Sequence, residues 1–365
     1  MRHAAAAALL LLTACGGSGG SEPVGPVPEP DPVPDPEPDG TAIVFSGDVR
    51  QAQPVTRAAL SDGDGPTSFK VWGFKNDTYD AGTGAYGGNQ TVMDGYNVVF
   101  ESGSGATGWE YVGRGDAGRQ QTVKYWDYGT RAYRYLAYAP ATASGVTVTR
   151  GGTPLTATMA LTGLDANNPD AAPYVSELWF SNGNAVLYPD RLFGKTITMK
   201  FFKPFARVRF YFTFSASVTQ YGREALSAIR FAPGDGSKIA FKGNLTLSYP
   251  INGTSTELAS STTVAAGAAF PDVADALVTD YTTEHPHWYT VLPTATQGYY
   301  RLTLKVFNEE RTAEVPADMM VWKPGYEYTY VFKIQEDGGV TLDLLEMAIH
   351  DWSEGTPRNH NFYNW

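Results

Sequence analysis

The sequence predicts an all-β protein, two β-sandwich domains in series behind an export signal and a proline-rich spacer. Three observations lead there. After residue 40, apolar and polar residues alternate with a period of two through most of the chain. The alternating segments are rich in aromatic residues and are separated by Gly, Asp and Asn; the 365 residues include 22 Tyr, 18 Phe, 8 Trp and 39 Gly. Helical periodicity is nearly absent, with only residues 223–229 and 272–279 showing a brief helical pattern too short for an ordinary globular helix. The roughly 300 residues after the spacer exceed one small core, so the expected limits are 41–194 for an N-terminal sandwich and 195–365 for a C-terminal sandwich with a short tail.

Residues 1–14 read as a lipoprotein signal peptide. Arg2 precedes an apolar run from Ala4 to Leu12, and Leu12-Thr13-Ala14-Cys15 closes it with a small residue before the only cysteine of the chain. That layout is an export signal, and a cysteine in this position is the residue whose thiol receives diacylglycerol. Cys15 is therefore the expected lipidation site. The apolar run rises only about 14 Å as a helix, against roughly 30 Å of hydrocarbon in a bilayer. Attachment to outer-membrane lipid would thus run through N-terminal acyl chains, two or more of which anchor firmly. Without a second cysteine no intrachain disulfide forms, so a hydrophobic core or partners must supply stability.

Residues 15–40 form the spacer. Gly and Ser lead into eight prolines between Pro23 and Pro38, and the spacer carries six carboxylates and no lysine or arginine. Each proline removes a backbone donor and restricts its predecessor, which leaves an extended polyproline II stalk. The formal charge of −11 becomes −12 once Arg2 leaves with the signal. That balance excludes nucleic acid as a partner.

The strands follow in order. Ile43 and Phe45 lie on one face of a short strand, and a long polar segment containing Arg50 and Arg57 comes after it. Phe69, Val71 and Gly73 alternate with Lys70, Trp72 and Phe74, and residues 80–89 read as a glycine-rich surface loop. Residues 123–126 and 133–138 are further strands. In residues 206–214, Val208, Phe210, Phe212 and Phe214 share one face while Arg207, Arg209, Tyr211 and Thr213 share the other, so one side is buried and the other wet. Residues 301–307 repeat the pattern. Pro324 and Gly325 occupy the centre of a type II turn that feeds an alternating strand over 326–334.

A search for chemistry yields little. His285 and His287 lack an HExxH helix or a nearby cysteine. Asp62-Gly63-Asp64-Gly65 and Asp235-Gly236 lack a twelve-residue calcium loop and suit plain turns. Gly103-Ser104-Gly105 does not fit a nucleophile elbow, and no pair of carboxylates stands out for glycoside hydrolysis. The expectation is no enzyme, no metal and no cofactor. Trp109, Tyr111, Tyr125, Trp126, Tyr128, Trp179, Phe180, Trp288 and Tyr289 would suit sugar stacking as well as a sandwich core. A surface lipoprotein that binds glycans without polymerising therefore stands as the alternative.

Ordered fragments along the mature chain resemble the fimbrillin family of Bacteroidales. They are Ile43 and Phe45 followed by Thr56-Arg57-Ala58; FKVWGF at 69–74; Val92-Met93 with Tyr96-Asn97-Val98; and Trp109 before Lys124-Tyr125-Trp126. YLAYAP at 135–140, FARVRF at 205–210, WKPGYEYTYVFKI at 322–334 and IHDWSEG at 349–355 complete the set. The resemblance implies a type V pilus subunit or accessory lipoprotein, built from two transthyretin-like sandwiches and carried to the outer membrane and cell surface. It implies that a trypsin-like or arginine-specific protease cuts after the N-terminal strand, with the bond between Arg57 and Ala58 a better candidate than that between Arg50 and Gln51. The groove-covering strand with Ile43 and Phe45 then leaves, and a donor strand from another fimbrial subunit replaces it. Phe362, Tyr363 and Trp365 are the candidate donor residues, in a tail shorter than expected of a stalk subunit. Stalk, tip and anchor positions therefore all stay open, as does a host or glycan receptor.

Overall fold

The computed structural model describes residues 40–46, 67–101, 103–104, 107–116, 120–181, 193–215, 226–253, 259–263, 273–274, 276–278, 287–295, 298–342 and 348–351. Regular structure among them is β-strand, apart from single 3-10 turns at Pro169–Ala171 and Ala317–Met320. The fold is all-β, as the alternation requires.

In the first half, β1 (Phe45–Ser46) is followed by a long hairpin of β2 (Ser68–Asp80) and β3 (Ala85–Phe100). β4 (Trp109–Glu110) extends this hairpin on one side, and β5 (Ala132–Ala139) and β8 (Tyr174–Ser181) extend it on the other, giving the order β4-β3-β2-β5-β8. Between β5 and β8 the chain departs to build β6 (Val146–Gly151) and β7 (Thr156–Asp165). β9 (Ile197–Thr198) then pairs in parallel with β1.

The second half runs β10 (Ala206–Phe214), β11 (Leu226–Pro233), β12 (Ile239–Ala240), β13 (Lys242–Pro250), β14 (Ala259–Thr263), β15 (Val273–Ala274) and β16 (Leu277–Val278). It continues with β17 (Tyr289–Val291), β18 (Thr294–Ala295), β19 (Tyr300–Val306), β20 (Glu309–Val315), β21 (Val321–Trp322), β22 (Tyr326–Ile334), β23 (Val340–Leu342) and β24 (Ala348–Asp351). Two sheets, β17-β10-β22-β23 with β24 also on β22, and β16-β11-β19-β20, share one core. The alternation decides which residues fill it. Val208, Phe210 and Phe212 of β10 and Tyr330, Phe332 and Ile334 of β22 face Phe231, Leu302 and Leu304 from the other sheet. β10 and β22 pair in parallel from Arg207–Glu327 to Phe214–Ile334. On the outer face of this pair Arg207 bonds Glu327 at 2.9 Å and Arg209 bonds Thr329 at 2.9 Å.

A third arrangement joins the halves. β7 pairs with β13, and the sheet reads β14-β13-β7-β6. Pairing thus crosses the limit expected at residues 194 and 195. This sheet packs on the outer face of β2-β5-β8, where Phe74, Leu136, Tyr138 and Val175 meet Met159, Leu161, Leu245 and Leu247. β5 is consequently buried along its whole length. Tyr133, Tyr135 and Ala137 enter one core while Leu136 and Tyr138 enter the other. Two polar contacts pin the layers. Tyr249 donates to the Leu178 carbonyl at 3.0 Å, and buried Arg134 reaches Asn76 Oδ1 at 3.3 Å and the Pro250 carbonyl at 3.0 Å.

Four expectations change. Residues 226–229 lie in β11, and 273–274 and 277–278 lie in β15 and β16. Cross-strand partners in β19, β12 and β11 outweigh their weak local helical pattern. The glycine-rich loop shrinks to a turn at 81–84, because Tyr79 pairs with Tyr86 and Tyr86 bridges Gly253. Residues 123–126 make only a single bridge, from Tyr125 to Ala42, rather than a strand. The turn before β22 is as expected. Gly325 has φ of 80°, which a type II turn needs at its third position.

Candidate functional site: a short strand held in a groove

The segment around Ile43 and Phe45 is the site the sequence singled out, and its surroundings explain why. Both side chains are only 1% exposed, whereas Ala42, Val44 and Ser46 between them are half-buried. That is the period of two read from the sequence, applied to a strand with one face in a core. Phe45 sits edge-on to Phe69, Tyr111 and Tyr135, with ring centroids 5.5 to 6.1 Å apart. Ile197, Met199 and Phe201 fill the same core from the far side of the sequence.

The backbone of the segment changes partner halfway. At its start it runs antiparallel to residues 124–126: Trp126 N–H donates to the Thr41 carbonyl at 2.9 Å, and Ile43 N–H donates to the Lys124 carbonyl at 2.7 Å. At its end it runs parallel to β9, where Ile197 N–H donates to the Val44 carbonyl at 2.8 Å. The Ser46 and Thr198 hydroxyls lie 2.5 Å apart.

Side chains supply what the main chain does not. The Tyr111 hydroxyl donates to the Ile43 carbonyl at 3.0 Å and accepts Lys124 N–H at 3.0 Å. The Thr107 hydroxyl donates to the Phe45 carbonyl at 2.6 Å and accepts Trp109 N–H at 3.3 Å. Burial pushes the Tyr111 phenol up to about 12, so it stays protonated and able to donate. Gln121 fixes the wall behind it, donating to the Tyr111 carbonyl at 2.6 Å and to the Asn97 carbonyl at 2.9 Å.

Ile43 and Phe45 thus come together in one seat. Cys15, Arg57, Ala58, Phe362, Tyr363 and Trp365 lie outside the described residues, as do Asp62, Asp64 and His285. Thr107, Tyr111 and Ile197 were missed as parts of the site. Alternation at Ile197, Met199 and Phe201 was the available signal for a strand there, but nothing local links it to residue 45. The aromatic residues suggested for sugar stacking are mostly committed elsewhere. Trp109 and Trp126 are buried, and the Trp288 ring is covered by the guanidinium groups of Arg207 and Arg209, 5.0 and 4.3 Å from its centroid. Asp235 forms an ordinary Asx turn, accepting Ser237 N–H at 2.9 Å, and the Ser237 hydroxyl first and this amide second lower its pKa. A cavity of about 220 Å³ lies beside Asp94, Tyr96 and Asp116, where Asp116 already binds Lys70 and Asn97.

A family model described as fimbrillin-like matches residues 56–352. The chain belongs to the fimbrillin-like family. Among solved structures, it resembles a fimbrial protein from Bacteroides vulgatus, with 13% identity over 85% of this chain and 99% of that one, at a TM-score of 0.36. It also resembles the fimbrial anchor protein Mfa2 from Porphyromonas gingivalis, with 10% identity over 86% and 97% of the two chains and a TM-score of 0.29. A fimbrial assembly protein from Parabacteroides distasonis matches at 12% identity over 76% and 91%, with a TM-score of 0.28. No curated protein matches.

Proposed function

We propose that this chain is a structural or adhesive subunit of a cell-surface fimbria, exported as a lipoprotein through Cys15. Assembly exchanges its first strand for a strand of another fimbrial subunit. The observation that carries this reading is the seat of residues 41–46. Two apolar side chains are fully buried, yet the backbone switches from one neighbour to another within six residues and relies on hydroxyls for two of its carbonyls. Burial makes the groove need an occupant, at about 25 cal/mol per Å² of apolar surface. A strand this short, which changes partner midway, can be exchanged for one that carries its pairing further along the groove.

Cleavage between Arg57 and Ala58 would release the strand and free the body from its lipid at the outer membrane. The tail with Phe362, Tyr363 and Trp365 is the candidate donor. Mass spectrometry of the mature surface form tests the reading. A peptide beginning at Ala58 is expected, and peptides spanning Arg57 in every assembled molecule would overturn it. Replacing Cys15 with Ser should leave a precursor that no longer partitions into detergent.

A further inference from the structure

The groove contains a device that the exchange reading alone does not call for. Along one edge of residues 41–46, two hydroxyls play the same part. Each accepts a hydrogen bond from a backbone amide of the groove wall, Lys124 N–H for Tyr111 and Trp109 N–H for Thr107. Each in turn donates to a strand carbonyl, that of Ile43 for Tyr111 and that of Phe45 for Thr107. In an ordinary antiparallel pair, Lys124 N–H would reach the Ile43 carbonyl directly, because Ile43 N–H already donates to the Lys124 carbonyl. The phenol stands between them instead.

We propose that Tyr111 and Thr107 set the register of whichever strand occupies the groove, gripping its carbonyls at positions i and i+2. The inference rests on the exchange reading and names what the groove selects in another subunit's strand. Carbonyls two residues apart point to the same edge of an extended chain, and the one between them points away. Here the Val44 carbonyl indeed faces the opposite edge, toward Ile197 N–H.

A slip of one residue would present the wrong carbonyls to the hydroxyls. It would also turn the large side chains out of the core. A slip of two would keep the carbonyl edge but put each apolar side chain in the wrong seat. Hydroxyls and core together therefore admit one register. The incoming strand carries large apolar residues at i and i+2, in the places of Ile43 and Phe45. Its residue at i cannot be proline, since an N–H is needed there for the Lys124 carbonyl. Grip on carbonyls is blind to side-chain identity, so a single groove serves strands of differing sequence.

The test uses the full chain. Hydrogen exchange of the amides at 41–46 is followed in wild type, Tyr111→Phe, Thr107→Val and Thr107→Ser. The first two variants are expected to open the segment about fivefold more often, given the usual worth of one hydrogen bond. Thr107→Ser should restore protection, and β10 and β22 should not change. A labelled peptide Thr-Ala-Ile-Val-Phe-Ser is then offered to the chain after an arginine-specific protease has cut it at Arg57, alongside a version with an ester after its isoleucine, whose carbonyl accepts poorly. Wild type should prefer the amide peptide, and Tyr111→Phe should take both alike. Equal uptake by wild type, or unchanged exchange at 41–46 in Tyr111→Phe, overturns the register role while leaving strand exchange standing. Uptake of neither peptide overturns strand exchange itself, and the register proposal with it.

Discussion

Leu161 of β7 lies directly across from Leu245 of β13, so residues from the two halves of the chain share one rung of a single sheet. Both are buried, and so are the neighbouring pairs Met159 with Leu247 and Ala157 with Tyr249. A fragment ending at residue 194 keeps β7 but loses every one of these partners. It also loses the Tyr249 hydroxyl that bonds the Leu178 carbonyl. Such a fragment is expected to unfold without a cooperative transition in urea. A sharp two-state curve would show that β6 and β7 close on the first sheet unaided.

The groove strand gives a contrast within two residues. Phe45 is buried among three aromatic rings and Val44 is half-exposed. Phe45→Ala should cost about 3–5 kcal/mol, the range for emptying an aromatic seat. Val44→Ala should cost clearly less. Denaturant midpoints of the full chain decide, and equal losses would mean that Phe45 is not an anchor.

Lys203 provides a pH dependence with a definite sign. The residue is buried, and its ammonium donates to the carbonyls of Asp170 and Ala172 at 3.1 and 2.6 Å and lies 3.8 Å from the Tyr174 ring centroid. Burial lowers its pKa from 10.5 to about 8, with the Asp170 charge opposing. Between those values the unfolded chain holds more protons than the folded one, so stability rises with pH. The slope reaches about 1.4 kcal/mol per pH unit at most. Tyr174, raised by burial, acts in the opposite sense near the top of the window, so readings belong in its lower part. Lys203→Met should flatten the rise in urea midpoint just above pH 8, and an unchanged slope would locate the dependence elsewhere.

Backbone geometry makes opposite forecasts at two small residues. Ala228 has φ of 51° where the pairing of β11 with β19 shifts register. Ala228→Gly should therefore stabilise the protein by about 0.5–1 kcal/mol. Gly325, with φ of 80°, would bring a Cβ within 2.6 Å of the Phe202 ring. Gly325→Ala should destabilise by about 1–3 kcal/mol. Thermal unfolding of both variants checks the pair, and shifts of the same sign would refute the assignment of one of them.

The sequence by itself determined the class of the fold and the inner face of its clearest strands. Alternation placed Val208, Phe210 and Phe212 in a core and Ile43 and Phe45 in theirs, because a strand with one buried face repeats every two residues. Pro324-Gly325 specified its turn through local backbone geometry, which needs no distant partner. Tertiary structure alone decided the pairings. A period of two says which side of β7 is apolar but not that β13 covers it. The double burial of β5 follows from a second sheet built partly from Lys242–Pro250 and Ala259–Thr263. Helical hints at 226–229 gave way for the same reason, since backbone bonds to β19 outweigh a weak local preference. The hydroxyls of Thr107 and Tyr111 reach residue 45 and residue 43 only after the chain has folded back across more than sixty positions. No local pattern encodes such a contact, because its energy depends on where two distant backbones come to rest.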